Sequence, residues 1–259
     1  MADLVTTSTV DGVAIVSYNR PEKHNALNNE MSAQARHAME WALAEPDTRV
    51  VVLRGEGKSF SSGRDTTQLG GRPGGESHYD WVRESQEIRF AMMDSKKIFV
   101  AAMKGYTLGG AFEVCLTCDI RIAADDTQMA LPEINYGILP DTGGTQLLTA
   151  IVGPGIAKEL VLTGRRFTAA EALSWGVVNR VVPATELDDA VLDLAKQIAA
   201  KAPLALALGK QLIDSVWTEQ MRRGLRSEVI AQSVLFSSED YAEARAARRE
   251  NRSPRFIGK

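Results

Sequence analysis

Apolar and polar positions alternate at the start of the chain, over 4–10 and again over 13–18, on either side of Asp11-Gly12. An Asp-Gly pair supplies the positive φ angles of a two-residue hairpin turn, so the pattern predicts two antiparallel strands. The period then changes. Met31, Ala35, Ala38, Met39 and Ala42 recur at three- and four-residue spacing, which predicts an amphipathic helix over 28–44. Val50-Val51-Val52-Leu53 is apolar at successive positions, as a strand buried on both faces of a parallel sheet should be. The run 98–103 (IFVAAM) has the same character, and 120–123 (IRIA) predicts a shorter strand.

Further along, the helical period takes over. Thr168 and Glu171 have the spacing of a capping box, with Gly176 as the stop. Beyond Pro183 and Thr185, the residues Leu187, Ala190, Val191, Leu194, Ala195 and Ile198 form one apolar stripe. From there to about 250 the pattern is rich in helix and poor in strand. Strands alternating with helices, then helices alone, predict an α/β fold with a helical C-terminal region. One segment fits neither period: 66–79, TTQLGGRPGGESHY, carries four glycines and a proline. It reads either as a surface loop or as a lid or pocket wall beside a site.

Composition narrows the function classes. The 259 residues are 44% apolar and 24% charged, enough for a sizeable core. A net charge of −3 offers no global attraction to nucleic acid or an anionic membrane, so an anionic ligand needs local groups. No run approaches the roughly 18 apolar residues of a spanning helix. The start, MADLVTTSTVDG, lacks the basic and apolar regions of a secretory signal, and a cytoplasmic location is expected. Only two cysteines occur, against a disulfide-built scaffold. Cys115-x-x-Cys118 is half of a zinc site, but His24, His37 and His78 show no paired spacing. Their apolar neighbours Val114 and Leu116 suit buried core thiols, and no metal is assigned.

Candidate chemistry begins at Gly109-Gly110, after strand 98–103 and a short turn. Paired glycines at a helix start admit another molecule close to backbone N–H groups that have no intrahelical partner. Such a terminus can stabilise an anion, including one that exists only in a transition state; a tight, closely packed turn is the simpler reading. Glu113 follows one helical turn on, among Ala111, Phe112, Val114, Cys115 and Leu116. Desolvation there would push a carboxyl group toward acid/base use, while the helix dipole alone also favours a glutamate at this position. Glu133 stands in a second apolar stretch behind Pro132, and Asp141 lies eight residues on in ILPDTGG. Asp141 reads first as the N-cap of a following helix. Acids sharing a dry site push their pKa values apart, so that one serves as acid and another as base. The loop Lys58-Ser59-Phe60-Ser61-Ser62-Gly63-Arg64-Asp65, at the end of strand 50–53, is a common kind of site wall in α/β folds.

Taken in order, these segments resemble the crotonase superfamily, the enoyl-CoA hydratase/isomerase family. RPEKHNAL (20–27) resembles its CoA-contacting segment, 60–65 its first oxyanion-hole loop, and GYTLGG (105–110) the second; 131–144 and 162–183 complete the match. The resemblance implies a spiral of ββα units over 1–200, holding the CoA-thioester site. It also implies a helical region over 201–259 for trimerisation or CoA cover, in a homotrimer or dimer of trimers. The thioester oxygen would sit between the N–H groups of Arg64 and Gly110. Lys23, Ala26, Leu27, Ser62, Arg64, Asp65, Thr66 and Gly109 would contact substrate or CoA, with Trp81 and Tyr136 shaping the acyl pocket. No cofactor is implied, CoA being part of the substrate. Glu113 and Glu133, 20 residues apart, match the two glutamates of hydratases.

This chain departs from the hydratase pattern at Arg64, where many members carry alanine, and at Asp141, where glycine is usual. An aspartate at that place is functional in dienoyl-CoA isomerases and in aryl-CoA dehalogenases, the latter having tryptophan in place of Glu133. With both glutamates present, the resemblance nevertheless implies an enoyl-CoA hydratase. The alternative is a double-bond isomerase, of the dienoyl-CoA or epoxide-opening type, using Glu133 and Asp141. A non-catalytic acyl-CoA- or RNA-binding relative stands behind both.

Overall fold

Asp11 and Gly12 take φ of 49° and 77°, and the turn they make pairs β1 (Val5–Val10) antiparallel with β2 (Val13–Tyr18). The computed structural model describes residues 3–71 and 74–259. Parallel strands then extend the sheet: β3 (Val50–Gly55), β4 (Ile98–Met103), β6 (Ile120–Ala124) and β9 (Arg180–Val182), in the order β1-β2-β3-β4-β6-β9. The unbroken apolar run of β3 has its explanation in two covered faces. Val50 and Val52 pack with Val100, Ala102 and the stripe Leu187, Val191 and Ala195 of α6 (Leu187–Ala199). Val51 and Leu53 pack on the other side with Phe99, Ala101, Met31 and Met39 of α1 (Asn29–Ala44), and Phe112 of α3 (Gly110–Thr117). Asn28 caps α1, accepting from the Met31 N–H at 2.8 Å. The capping box of Thr168 and Glu171 forms at the head of α5 (Ala169–Ser174).

A second sheet holds β5 (Tyr106–Leu108), β7 (Gln128–Ala130) and β8 (Phe167–Thr168). Strands of two or three residues carry too few alternations to be seen as a period, so the sequence pattern misses them. It misses α2 (His78–Asp94) too, because its buried positions, Val82, Gln86 and Met92, include a glutamine and make no apolar stripe. α4 (Gly144–Thr163) bends at Gly153-Pro154. The helical C-terminal region comprises α7 (Pro203–Ser215), α8 (Thr218–Leu235) and α9 (Glu239–Arg249). Val229, Phe236 and Tyr241 from this region close a third apolar cluster with Val82 and Ile138. Cys115 and Cys118 are free, buried thiols, and burial pushes Cys118 up to about 12. Among the described residues, no helix is long and apolar enough to cross a membrane.

Candidate active site

β3 and β4 are neighbours, so the loops leaving their C-terminal ends meet. The Ser61 N–H donates to Tyr106 O at 2.9 Å, and the Leu108 N–H returns to Ser61 O at 3.1 Å. Gly63, at φ 84°, sits so close to β5 that a Cβ there would lie 2.5 Å from Leu108 O. That approach sets Arg64 beside Gly109-Gly110. Leu27 N–H donates to Gly63 O and Asp65 N–H to Leu27 O, which leaves the intervening Arg64 N–H turned away from this ladder. Neither the Arg64 nor the Gly110 N–H makes a hydrogen bond among the described residues. Both residues line one pocket of about 320 Å³, together with Glu113, Glu133 and Asp141.

The three acids are held differently. Glu113 is buried in the first turn of α3, and its carboxylate accepts from Thr142 N at 2.9 Å, Gly144 N at 2.7 Å and Thr142 Oγ1 at 2.8 Å. Glu133 lies on the 3₁₀ turn Pro132–Tyr136, and its Oε2 is buried with no partner. Burial, reinforced by the nearby Glu113, holds its carboxyl well above the usual range. Gly109, at φ 54°, makes room for it: a Cβ there would stand 2.7 Å from Glu133 Oε1. Asp141 accepts from Gln232 Nε2 at 3.0 Å, and burial followed by Glu113 pushes it up to about 7. Asp141 is not the N-cap of α4, as its sequence context suggests. Gly143 takes that position, which frees the Asp141 side chain to enter the pocket.

Of the other residues singled out from sequence, Leu27 also lines the pocket, as do Leu69, from the glycine-rich segment, and Trp81. That segment is therefore in part a pocket wall; Arg72 and Pro73 of it lie outside the described residues. Lys23, Ala26, Ser62, Asp65, Thr66 and Gly109 are not part of the pocket lining. Lys23 is exposed, Asp65 ion-pairs with Arg20 at 2.9 Å, and Thr66 accepts from Arg248 at 2.7 Å. Tyr136 does not line the pocket either; Arg248 stacks over its ring at 5.6 Å and bonds its hydroxyl. Glu228 of α8 escapes the sequence reading. It is buried, accepts from Gly143 N at 2.8 Å and from Thr145 N at 3.2 Å, and is pushed up to about 8 by burial and then Glu113. No local pattern marks it, since its partners lie more than 80 residues away.

With Arg64, Gly110 and three acids lining one pocket, the comparison with known proteins is decisive: the family described as Enoyl-CoA hydratase/isomerase matches residues 8–259. The chain belongs to that family. The short-chain-enoyl-CoA hydratase of Clostridium acetobutylicum is 34% identical, over 93% of this chain and 92% of its own length. A relative named carnitinyl-CoA dehydratase, from Salmonella enteritidis, is 37% identical over 94% of each. Among solved structures, an enoyl-CoA hydratase from Mycobacterium avium subsp. paratuberculosis superposes with a TM-score of 0.87 at 29% identity, covering 98% of both chains. The crotonase fold expected from sequence is thus the fold of this hydratase/isomerase family member.

Proposed function

We propose that this chain is an enoyl-CoA hydratase that adds water across the 2,3 double bond of a 2-enoyl-CoA. The observation that carries the reading is that Arg64 and Gly110, whose N–H groups are unbonded, line one pocket with Glu113 and Glu133. The thioester oxygen sits between the two donors. Glu113, oriented by three hydrogen bonds, takes a proton from water as its oxygen attacks Cβ. The π electrons move onto the thioester oxygen, where the two N–H groups stabilise the enolate; one such donor is typically worth about 3–4 kcal/mol. Glu133, held protonated by its dry surroundings, delivers a proton to Cα. Lys23, Ala26, Leu27, Ser62, Asp65, Thr66 and Gly109 contact CoA or the thioester, Arg248 adds a cation beside Thr66, and α8 and α9 form part of the cover. Gln232 of α8 and Phe236 at its end line the pocket and support that role for α8.

One observation favours the second reading. Asp141 lines the pocket with its carboxyl poised near neutrality, where it can exchange a proton with substrate carbon. In a dienoyl-CoA isomerase, Glu133 and Asp141 would pass a proton between carbons and no water would be added. Absorbance assays on crotonyl-CoA and a 3,5-dienoyl-CoA, with wild type and Asp141→Gly, separate the two. Hydration is expected to consume the enone band and to survive Asp141→Gly. Conversion of the diene that collapses in Asp141→Gly, with little hydration, would give the isomerase. A non-catalytic relative would turn over neither.

A further inference from the structure

Two helices contribute polar side chains to the pocket. On α2, Trp81, Ser85 and Arg89 recur every four residues, and all three line the pocket; on α1, Asn29, Ser32 and Arg36, spaced by three and four, line it too. The remaining lining includes Leu27, Leu69, Ile138, Leu139 and Phe236, so an acyl chain has apolar surface to follow. Three guanidinium groups reach this space, and two are already engaged. Arg64 donates to Ser32 Oγ at 3.0 Å, to Leu27 O at 3.3 Å and to Asn29 Oδ1. Arg36 ion-pairs with Glu84 at 3.1 Å.

Arg89 differs. Its Nε is buried with no partner, as is that of Arg64, but its guanidinium makes no hydrogen bond or ion pair at all with any described residue. Its charge helps to hold down the Asp141 carboxyl, but only through space, without ion-pair contact. Arg89 thus lines the pocket with a buried, unpaired Nε while the residue as a whole stays half-buried, and planar, fork-shaped donors of this kind match a carboxylate in two parallel hydrogen bonds. With no protein acceptor at hand, the complement is a group brought by the ligand.

We propose that the pocket accepts acyl-CoA thioesters whose acyl chain ends in a carboxylate, the mono-thioesters of dicarboxylic acids, and that Arg89 binds that terminal carboxylate. The proposal rests on the reading of the pocket as an acyl-CoA site and specifies its substrate class.

Saturated thioesters test it without any turnover. Calorimetric titration of the full chain would compare glutaryl-CoA with valeryl-CoA and adipyl-CoA with hexanoyl-CoA, each pair matched in carbon number. The expected result is that one diacid member binds about ten- to a hundredfold more tightly than its partner, the range for a hydrogen bond to a charged group. Arg89→Met is expected to abolish that preference while leaving the monoacid affinities within about threefold, and Arg89→Lys to retain part of it. Equal or weaker binding of both diacids by the wild type overturns the proposal without recourse to any variant. A preference that survives Arg89→Met overturns it as well. Binding of valeryl- and hexanoyl-CoA without a diacid preference removes the Arg89 assignment and leaves the acyl-CoA site standing; binding of none of the four removes both.

Discussion

Glu113 and Glu133 occupy one pocket, yet their carboxylates are tied to the protein very differently, and substitution should expose that. Glu133→Gln leaves no donor stranded, because Oε2 bonds nothing. It is expected to lower crotonyl-CoA hydration by about 10²–10⁴-fold in kcat with little change in melting temperature. Glu113→Gln should lose a similar factor and some stability besides, since its oxygen can keep the Thr142 and Gly144 N–H bonds only if the Thr142 hydroxyl, which donates to Oε2, turns to accept from the amide instead. Steady-state kinetics and thermal melts on the two variants check both statements. Undiminished turnover in both would remove the proposed mechanism. At this scale the acids themselves were legible as carboxylates within apolar runs. The role of Asp141 was not, because ILPDTGG contains both a plausible cap and the glycine that takes its place.

Among the elements, the N-terminus of α4 is the joint of the site. Four successive N–H groups there are divided between two acids: Thr142 and Gly144 donate to Glu113, Gly143 and Thr145 to Glu228. A helix start with a glycine N-cap has no side chain of its own to satisfy these donors, so two carboxylates from α3 and α8 do it instead. Glu228→Ala is expected to cost about 1–3 kcal/mol in urea unfolding, through buried donors left unpaired. The pH dependence follows from the same groups. Glu228 and Asp141 are pushed up to about 8 and about 7 in the folded chain, so between their ordinary carboxylate range and those values the folded state holds protons that the unfolded state has released. Stability contributed by these two groups therefore falls as pH rises from about 4 to about 8, then levels off. Urea melts at pH 5, 6.5 and 8 should show a smaller decline in Glu228→Gln than in wild type; an unchanged decline would assign the effect elsewhere.

For the whole molecule, the feature calling for a partner is α7 and its end. Leu204, Leu208, Leu212 and Val216, spaced every four residues, are all exposed, Leu212 by 72%, and Ile213 beside them by 72%. A continuous apolar stripe of this kind marks an association surface. It is a candidate contact face for the homotrimer or dimer of trimers that the family resemblance implies. Sedimentation equilibrium should return a multiple of three chain masses, and Leu208→Glu with Leu212→Glu should lower it; a wild-type monomer would exclude both assemblies.

Local interactions are what the chain alone determined. The Asp11-Gly12 hairpin, the α1 stripe, the doubly buried β3 and β4 and the Thr168 capping box depend on residues a few positions apart, and their patterns are visible without a fold. The loops 60–65 and 105–110 and both glutamates were visible as short segments, while the oxyanion-hole role of the loops came from the family resemblance. Tertiary structure alone decided which of these groups meet. Glu113 reaches its partners across 29 to 31 residues and Glu228 across 83 to 85, while Arg89 faces the pocket from a helix that shows no apolar period. A polar side chain carries no periodic signal of its own; whether it is paired, buried or left open to a ligand is set by the segment that packs against it.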